Sequence, residues 1–365
     1  MTLVLLSAGG TGGHLFPAEA LAGALRARGA RVALATDTRA GAMLDAFPAD
    51  EVVQIAAATP SGRSLVRMAQ AALVLGRGYL QARRAIRRLK PAVVVGFGGY
   101  PTVPPVFAAS GMGVKTLLHE QNGVMGRANR FLAGCVTAIA TGFPQVDGVP
   151  AGAPAPVHTG NPVRPAVIAA AATPYPSLAD GRLRVLVFGG SQGARVMSEV
   201  VPAAVERLPA ELRARLVLAQ QAREEDLAQV RETYARLLDG ADVQPFFKDL
   251  PQRMAGAHLV VSRSGASTVA ELAVIGRPAI LVPLPGALDQ DQAANARALS
   301  AIGAATVLPQ PEFTPERLAA EIVERFHDPQ GLTAAAAAAK SAGIADAADR
   351  LATLVLRLAQ SSGTA

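Results

Sequence analysis

The 365-residue chain is half hydrophobic and only 17% charged, with 35 Gly, 26 Pro, no Trp and a single cysteine, Cys135. Its length points to two domains and its apolar content excludes a disordered chain; one cysteine excludes an internal disulfide or a cysteine-rich zinc site, which fits a reducing compartment. The net charge of +7 is unevenly placed: nine cations and no acid lie between Glu51 and Glu120, so this interval is the part of the chain that attracts an anionic surface.

Residues 3–6 read as a first strand. They lack a basic leader and run straight into Gly9-Gly10-Thr11-Gly12-Gly13-His14, so a strand and not a signal peptide is expected. The glycine loop fits neither of two strict phosphate patterns. Leu15 stands where a dinucleotide fingerprint read from Gly10 needs glycine, and no lysine closes a P-loop. What remains is an open loop with a histidine at the start of a helix over residues 17–28. His14 is there either a base near neutral pH, kept neutral by the helix dipole, or a residue that caps and packs.

A second strand at 31–35 precedes a helix over 64–89, expected to break near Gly76 and Gly78. Leu73, Val74, Leu75, Tyr79 and Leu80 sit among Arg63, Arg67, Arg77, Arg83, Arg84, Arg87 and Arg88. This is the pattern of an amphipathic segment resting in lipid headgroups, or of a core helix with a solvated basic face; the lack of acids favours the first. Residues 91–114 carry no charge and are long enough to span a bilayer, yet prolines and glycines interrupt them too often. They read as a strand at 92–95, a glycine loop and a short helix. Strands at 116–118 and 136–140 follow. Between them, His119-Glu120-Gln121-Asn122 is a functional strand-end loop or a polar turn.

Residues 144–176 are rich in Pro, Ala and Gly and suit a crossing between domains. There Arg164, in Asn161-Pro162-Val163-Arg164, reaches a phosphate or is simply solvated. The opening theme then returns. A strand at 184–188 meets Gly189-Gly190-Ser191-Gln192-Gly193, and a strand at 259–261 meets Ser262-Arg263-Ser264-Gly265 before a helix over 266–275. Each is a loop whose N–H groups cradle phosphate, helped in the first by the Ser191 hydroxyl, or a tight turn. Glu271 would accept hydrogen bonds from a ribose diol, or serve as a capping partner. Strands at 215–218 and 279–282 extend the β-α alternation of a parallel sheet. Asp289-Gln290-Asp291 is a weak match to a metal motif, and since the glycine loops already provide diphosphate binding, no metal is expected. Gln292 and Asn295 suit sugar hydroxyls, or are simply helix N-terminal residues. Two similar halves predict an α/β fold of two Rossmann-like domains facing across a cleft. Residues 1–160 are expected to form one domain and 161–340 the other, with a helix at 341–358 returning to the first.

Six motifs in order, Gly9–His14, Gly98-Gly99-Tyr100, 119–123, Gly160–Arg164, 189–194 and 263–271, resemble the MurG family of bacterial N-acetylglucosaminyltransferases over most of the chain. The resemblance implies a GT-B fold, UDP-N-acetylglucosamine as donor and lipid I, an undecaprenyl-linked muramoyl-pentapeptide, as acceptor. It implies inversion at the anomeric carbon with no required metal or cofactor. It makes His14 the base and places Thr11, Gly12, Gly13, Asn122, Arg164, Ser191, Glu271 and Gln292 at the donor. Phe247, Ala266, Ser267, Thr268, Val269 and Ala270 would flank uracil and ribose. Tyr100, Arg83, Arg84, Arg87 and Arg88 would face acceptor and membrane. It further implies a peripheral position on the cytoplasmic face of the plasma membrane, with other cell-wall synthesis proteins as candidate partners and no nucleic acid. Two positions depart from the family pattern: Asp291, where His or Gln is common, and Ala219, where His precedes Gln. A related GT-B enzyme with another acceptor, or a non-catalytic nucleotide-binding membrane scaffold, would share the glycine loops.

Overall fold

Runs such as Leu3–Ser7 and Val93–Gly96 show no alternation of polar and apolar residues, because every residue in them is buried. Parallel strands covered by helices on both faces have this character. It recurs through the computed structural model, which describes residues 1–45, 47–58, 65–190, 193–286 and 291–361, with the side chains of 42, 43 and 65–67 left aside. Contacts divide the chain into two units, Met1–Arg164 with Ala345–Ala365, and Pro165–Ile344.

The first unit holds strands β1 (Leu3–Ser7), β2 (Arg31–Thr36), β3 (Glu51–Gln54), β4 (Val93–Gly96), β5 (Lys115–Glu120), β6 (Ala138–Thr141) and β7 (Pro156–His158). They form one parallel sheet in the order β3-β2-β1-β4-β5-β6-β7. Its helices include α1 (Gly12–Ala27), α2 (Leu65–Leu89), α3 (Val103–Gly111) and α4 (Arg127–Leu132). Strand order reverses between β1 and β4, so the loops after them gather at the carboxyl edge, where open α/β sheets bind ligands. Leu6, Leu21, Leu34, Val95 and Leu117 fill one face of the sheet, and Leu5, Ile86, Val94, Val106 and Leu118 the other.

α2 corrects an expectation: it runs unbroken past Gly76 and Gly78. Gly78 is a contact point, since a Cβ there would collide with the Ala56 carbonyl oxygen, and glycine lets the helix lie directly on the segment after β3. The 144–176 stretch is likewise more ordered than a plain crossing, for it contains β7 and a helix, α5 (Pro165–Ala170).

The second unit winds the same way. Strands β8 (Leu183–Phe188), β9 (Leu216–Gln221), β10 (Ala241–Gln244), β11 (Leu259–Ser262), β12 (Ala279–Leu281) and β13 (Ala305–Val307) lie in the order β10-β9-β8-β11-β12-β13. Helices α6 (Arg195–Glu206), α7 (Ala210–Arg213), α8 (Leu227–Leu237), α9 (Leu250–Gly256) and α10 (Ala266–Ile275) connect them, and α11 (Asp291–Ser300), α12 (Pro315–His327) and α13 (Pro329–Ser341) follow. The last helix, α14 (Ala347–Gln360), belongs to the first unit. It buries Leu351, Ala352 and Val355 in the core beneath α1, and Arg28 donates to Asp349 at 2.9 Å and to Thr353 at 2.8 Å.

Candidate functional site

Loops leaving the neighbouring strands β1 and β4 close around His14. Thr11 is the N-cap residue of α1 but makes no capping bond to the backbone; its hydroxyl lies 3.0 Å from His14 Nδ1 instead. Gly98 and Gly99 have φ of +87° and +72°, the left-handed region that favours glycine. A Cβ on either would stand 3.4 Å from the His14 ring, so the imidazole lies against bare backbone. Tyr100 opens a short 3-10 turn directly after them and is half-buried. Burial, with the Arg39 cation adding to it, pushes His14 down to about 4. The residue as a whole is half-buried. Neutrality at physiological pH thus comes from enclosure and Arg39 rather than from the helix dipole alone.

The end of β5 is a buried polar network. Gln121 Nε2 donates to His119 Nδ1 at 3.1 Å, which leaves Nε2 to donate to the Gly160 carbonyl at 3.0 Å. Burial pushes His119, too, down to about 4. Glu120 receives four donors: Asn122 N (3.0 Å), Asn122 Nδ2 (3.2 Å), Gly126 N (3.0 Å) and Asn129 Nδ2 (2.8 Å). Burial raises its pKa and these bonds oppose the rise. The amide of Asn122, expected at the donor, is therefore engaged by Glu120. Arg164, four residues beyond Gly160, lies over the Phe16 ring of α1 at 4.2 Å and beside Glu19, whose pKa burial raises against the arginine's pull.

The second unit repeats the strand-loop-helix device twice. After β8, Gly190 and Gly193 have φ of +95° and +70°, and Gly189 N donates to Gln221 Oε1 at 3.1 Å. Ser191 and Gln192 lie outside the described residues. After β11, the N-cap of α10 is Gly265, which has no side chain to cap with. The N–H groups of Ala266, Ser267 and Thr268 have no partner within the helix by its geometry. Val269 and Ala270 complete that first turn, and Glu271 is buried behind it. Ser264 Oγ donates to the Gln292 carbonyl at 2.8 Å, Asn295 Nδ2 to the Ser264 carbonyl at 3.1 Å, and Leu284 N to Gln292 Oε1 at 3.0 Å. The start of α11 is thereby stitched to the α10 loop. Asp291 Oδ1 accepts from Gln292 N at 2.9 Å, while Asp289 and Gln290 lie outside the described residues. Phe247 is buried with the Arg253 guanidinium 4.3 Å over its ring, so that face is already covered; Phe246 beside it is exposed.

On α2, Leu73, Arg77, Leu80, Arg84 and Arg87 line one exposed stripe at helical spacing. Tyr79 meets Phe107 at 5.9 Å and Phe107 meets Phe131 at 6.2 Å, with both phenylalanines exposed, and Arg83 lies 5.7 Å over the Tyr79 ring. Arg88 leaves the free basic set, because Glu51 pairs with it from β3. Arg63 and the side chain of Arg67 lie outside the described residues. Among the described residues, no helix is long and apolar enough to cross a membrane.

Comparison with known proteins gives a consistent picture. The glycosyltransferase family 28 N-terminal domain matches residues 4–141 and its C-terminal domain residues 184–351. The chain is 67% identical over 360 residues to the UDP-N-acetylglucosamine–N-acetylmuramyl-(pentapeptide) pyrophosphoryl-undecaprenol N-acetylglucosamine transferase of Methylorubrum populi, covering 98% of this chain and 97% of that one. It is 68% identical to the protein of the same name from Methylorubrum extorquens, covering 98% of each. Among solved structures, Acinetobacter baumannii MurG is 30% identical with a TM-score of 0.78, covering 98% of this chain and all of that one.

Proposed function

We propose a function from one premise: this chain belongs to glycosyltransferase family 28. It transfers N-acetylglucosamine from UDP-N-acetylglucosamine to undecaprenyl-diphospho-muramoyl-pentapeptide, with inversion, in peptidoglycan synthesis. The observation that carries this reading is 67–68% identity to transferases of that name, held over 98% of the chain.

The acceptor hydroxyl loses a proton as the anomeric carbon gains positive charge and UDP departs. In the first unit His14 is neutral, and with Nδ1 on Thr11, Nε2 is left to take that proton. In the second unit the α10 N-terminus and the loop Gly189–Gly193 meet the diphosphate with N–H groups and partial positive charge. Glu271 accepts from the ribose, and Gln292 adds a donor contact. No metal enters this mechanism.

The acceptor's lipid keeps it in a membrane, so the enzyme works at that surface. Leu73, Leu80, Phe107 and Phe131 supply apolar side chains for the headgroup layer, beside Arg77, Arg84 and Arg87. Each such cation adds about 1 kcal/mol near anionic lipid, which favours the cytoplasmic leaflet. UDP release against an acceptor panel tests the reading. Release with the lipid-linked muramoyl-pentapeptide, undiminished in EDTA, is expected. Equal release with unrelated acceptors, or with none, would overturn it.

A further inference from the structure

The sugar of the proposed acceptor is joined to its lipid through a pyrophosphate, and the loops around His14 hold a cation that the mechanism above leaves unused. Arg39 lies just beyond β2, the strand beside β1 in the sheet. Its Nε donates to Asp37 Oδ2 at 2.6 Å, and its backbone N donates to Asp37 Oδ1 at 3.3 Å. The Asp37 side chain is only 9% exposed while that of Arg39 is 55% exposed. The carboxylate therefore anchors one edge of the guanidinium and leaves the rest open.

This turn is locked to the glycine loop. A Cβ on Gly10 would stand 2.5 Å from Ala40 N, 2.6 Å from Asp37 Oδ1 and 2.7 Å from the Arg39 carbonyl carbon. A Cβ on the preceding Gly9 would stand 3.6 Å from His14 Nδ1. Arg39 and His14 thus flank two consecutive glycines, close enough for the cation to act on the imidazole. An exposed ion pair contributes little to stability, so stability alone is a weak reason for this arrangement.

We propose that Arg39, held by Asp37, binds the diphosphate of the lipid-linked acceptor beside the base. The inference rests on the transfer reaction proposed above. A planar guanidinium anchored through Nε still presents its terminal NH₂ groups to phosphate oxygens, a geometry lysine does not share.

The test compares wild type, Arg39→Ala and Arg39→Lys on two acceptors: the diphosphate-linked one and an analogue with a neutral linkage in its place. Wild-type transfer to the first establishes the reaction; its absence overturns the transferase reading and this inference with it. Given transfer, Arg39→Ala should raise KM for the diphosphate acceptor about tenfold or more, the scale of a charge-assisted hydrogen bond. KM for UDP-N-acetylglucosamine and for the neutral analogue should stay close to wild type. Lysine should restore part of the loss, and inorganic pyrophosphate should inhibit the alanine variant less than the wild type. Arg39→Gln, which keeps a hydrogen bond to Asp37, gives the same comparison if the alanine variant is unstable. Equal losses on both acceptors, or a matching rise in donor KM, would make Arg39 a prop for the turn and overturn the inference.

Discussion

Replacing His119 by Gln tests how the end of β5 is held, and the size of the effect follows from burial. The ring is 0% exposed, donates from Nε2 to Gly160 and accepts at Nδ1 from Gln121. Burial pushes its pKa from 6.5 to about 4, with His158 adding slightly and the Gly160 bond opposing. The folded protein keeps this histidine neutral, whereas the unfolded chain takes up a proton below 6.5. The stability it supports is therefore fully present above pH 6.5 and is lost as the pH falls toward 4. At about 1.4 kcal/mol per pH unit across that window, this single group removes about 3 kcal/mol by pH 4. Gln donates to Gly160 but binds no proton. The stability gap between wild type and His119→Gln should therefore narrow by about 3 kcal/mol between pH 7.5 and pH 4. Urea unfolding at the two pH values, read through hydrogen exchange of β5 amides, measures it. An unchanged gap would refute the argument that His119 is held neutral by burial.

His14→Ala should lower kcat by roughly 10²–10⁴ and leave donor affinity intact; a loss of donor affinity with normal turnover would make His14 a binding residue. Because His14 sits at about 4, the acid limb of kcat/KM should fall near that pH, and a limb near 6.5 would contradict the lowering by burial and Arg39. Glu271→Ala should weaken UDP-N-acetylglucosamine binding by about 1.5–3 kcal/mol in calorimetry, and unchanged affinity removes Glu271 from the site. The protein should sediment with anionic but not zwitterionic vesicles, and replacing Arg84 and Arg87 by Gln should weaken this while Arg88→Gln, paired to Glu51, should not. Equal binding to both vesicle types would contradict the membrane reading.

The interior strands were legible because they are buried on both faces and read as continuous apolar runs. The strands that sequence reasoning passed over, β3, β7, β10 and β13, are the edges of the two sheets. Edge strands are half-solvated and carry residues such as Glu51, Gln54 and Asp242, so no apolar run marks them. α10 was readable to the residue, since glycines stand at both its ends. The continuity of α2 was not, because the reason for Gly78 is a contact with Ala56 that only the fold creates. At the site, the glycine loops announced themselves through the conformations glycine alone adopts easily. Phe16 under Arg164, Arg39 beside His14 and Asn129 on Glu120 carry no motif, and their partners lie outside the local sequence. The pairing of Arg88 with Glu51 was hidden for the same reason, although both ends of the acid-free interval were in view.

The central claim is sugar transfer onto a lipid diphosphate acceptor, and the most direct measurement follows the sugar itself. The protein is incubated with UDP-N-acetylglucosamine labelled in the sugar and with the undecaprenyl-diphospho-muramoyl-pentapeptide. The label should move into the organic-extractable lipid, one N-acetylglucosamine heavier and of opposite anomeric configuration to the donor, in step with UDP released. Label that remains in water as nucleotide sugar or free N-acetylglucosamine, while the lipid stays unchanged, would contradict the account.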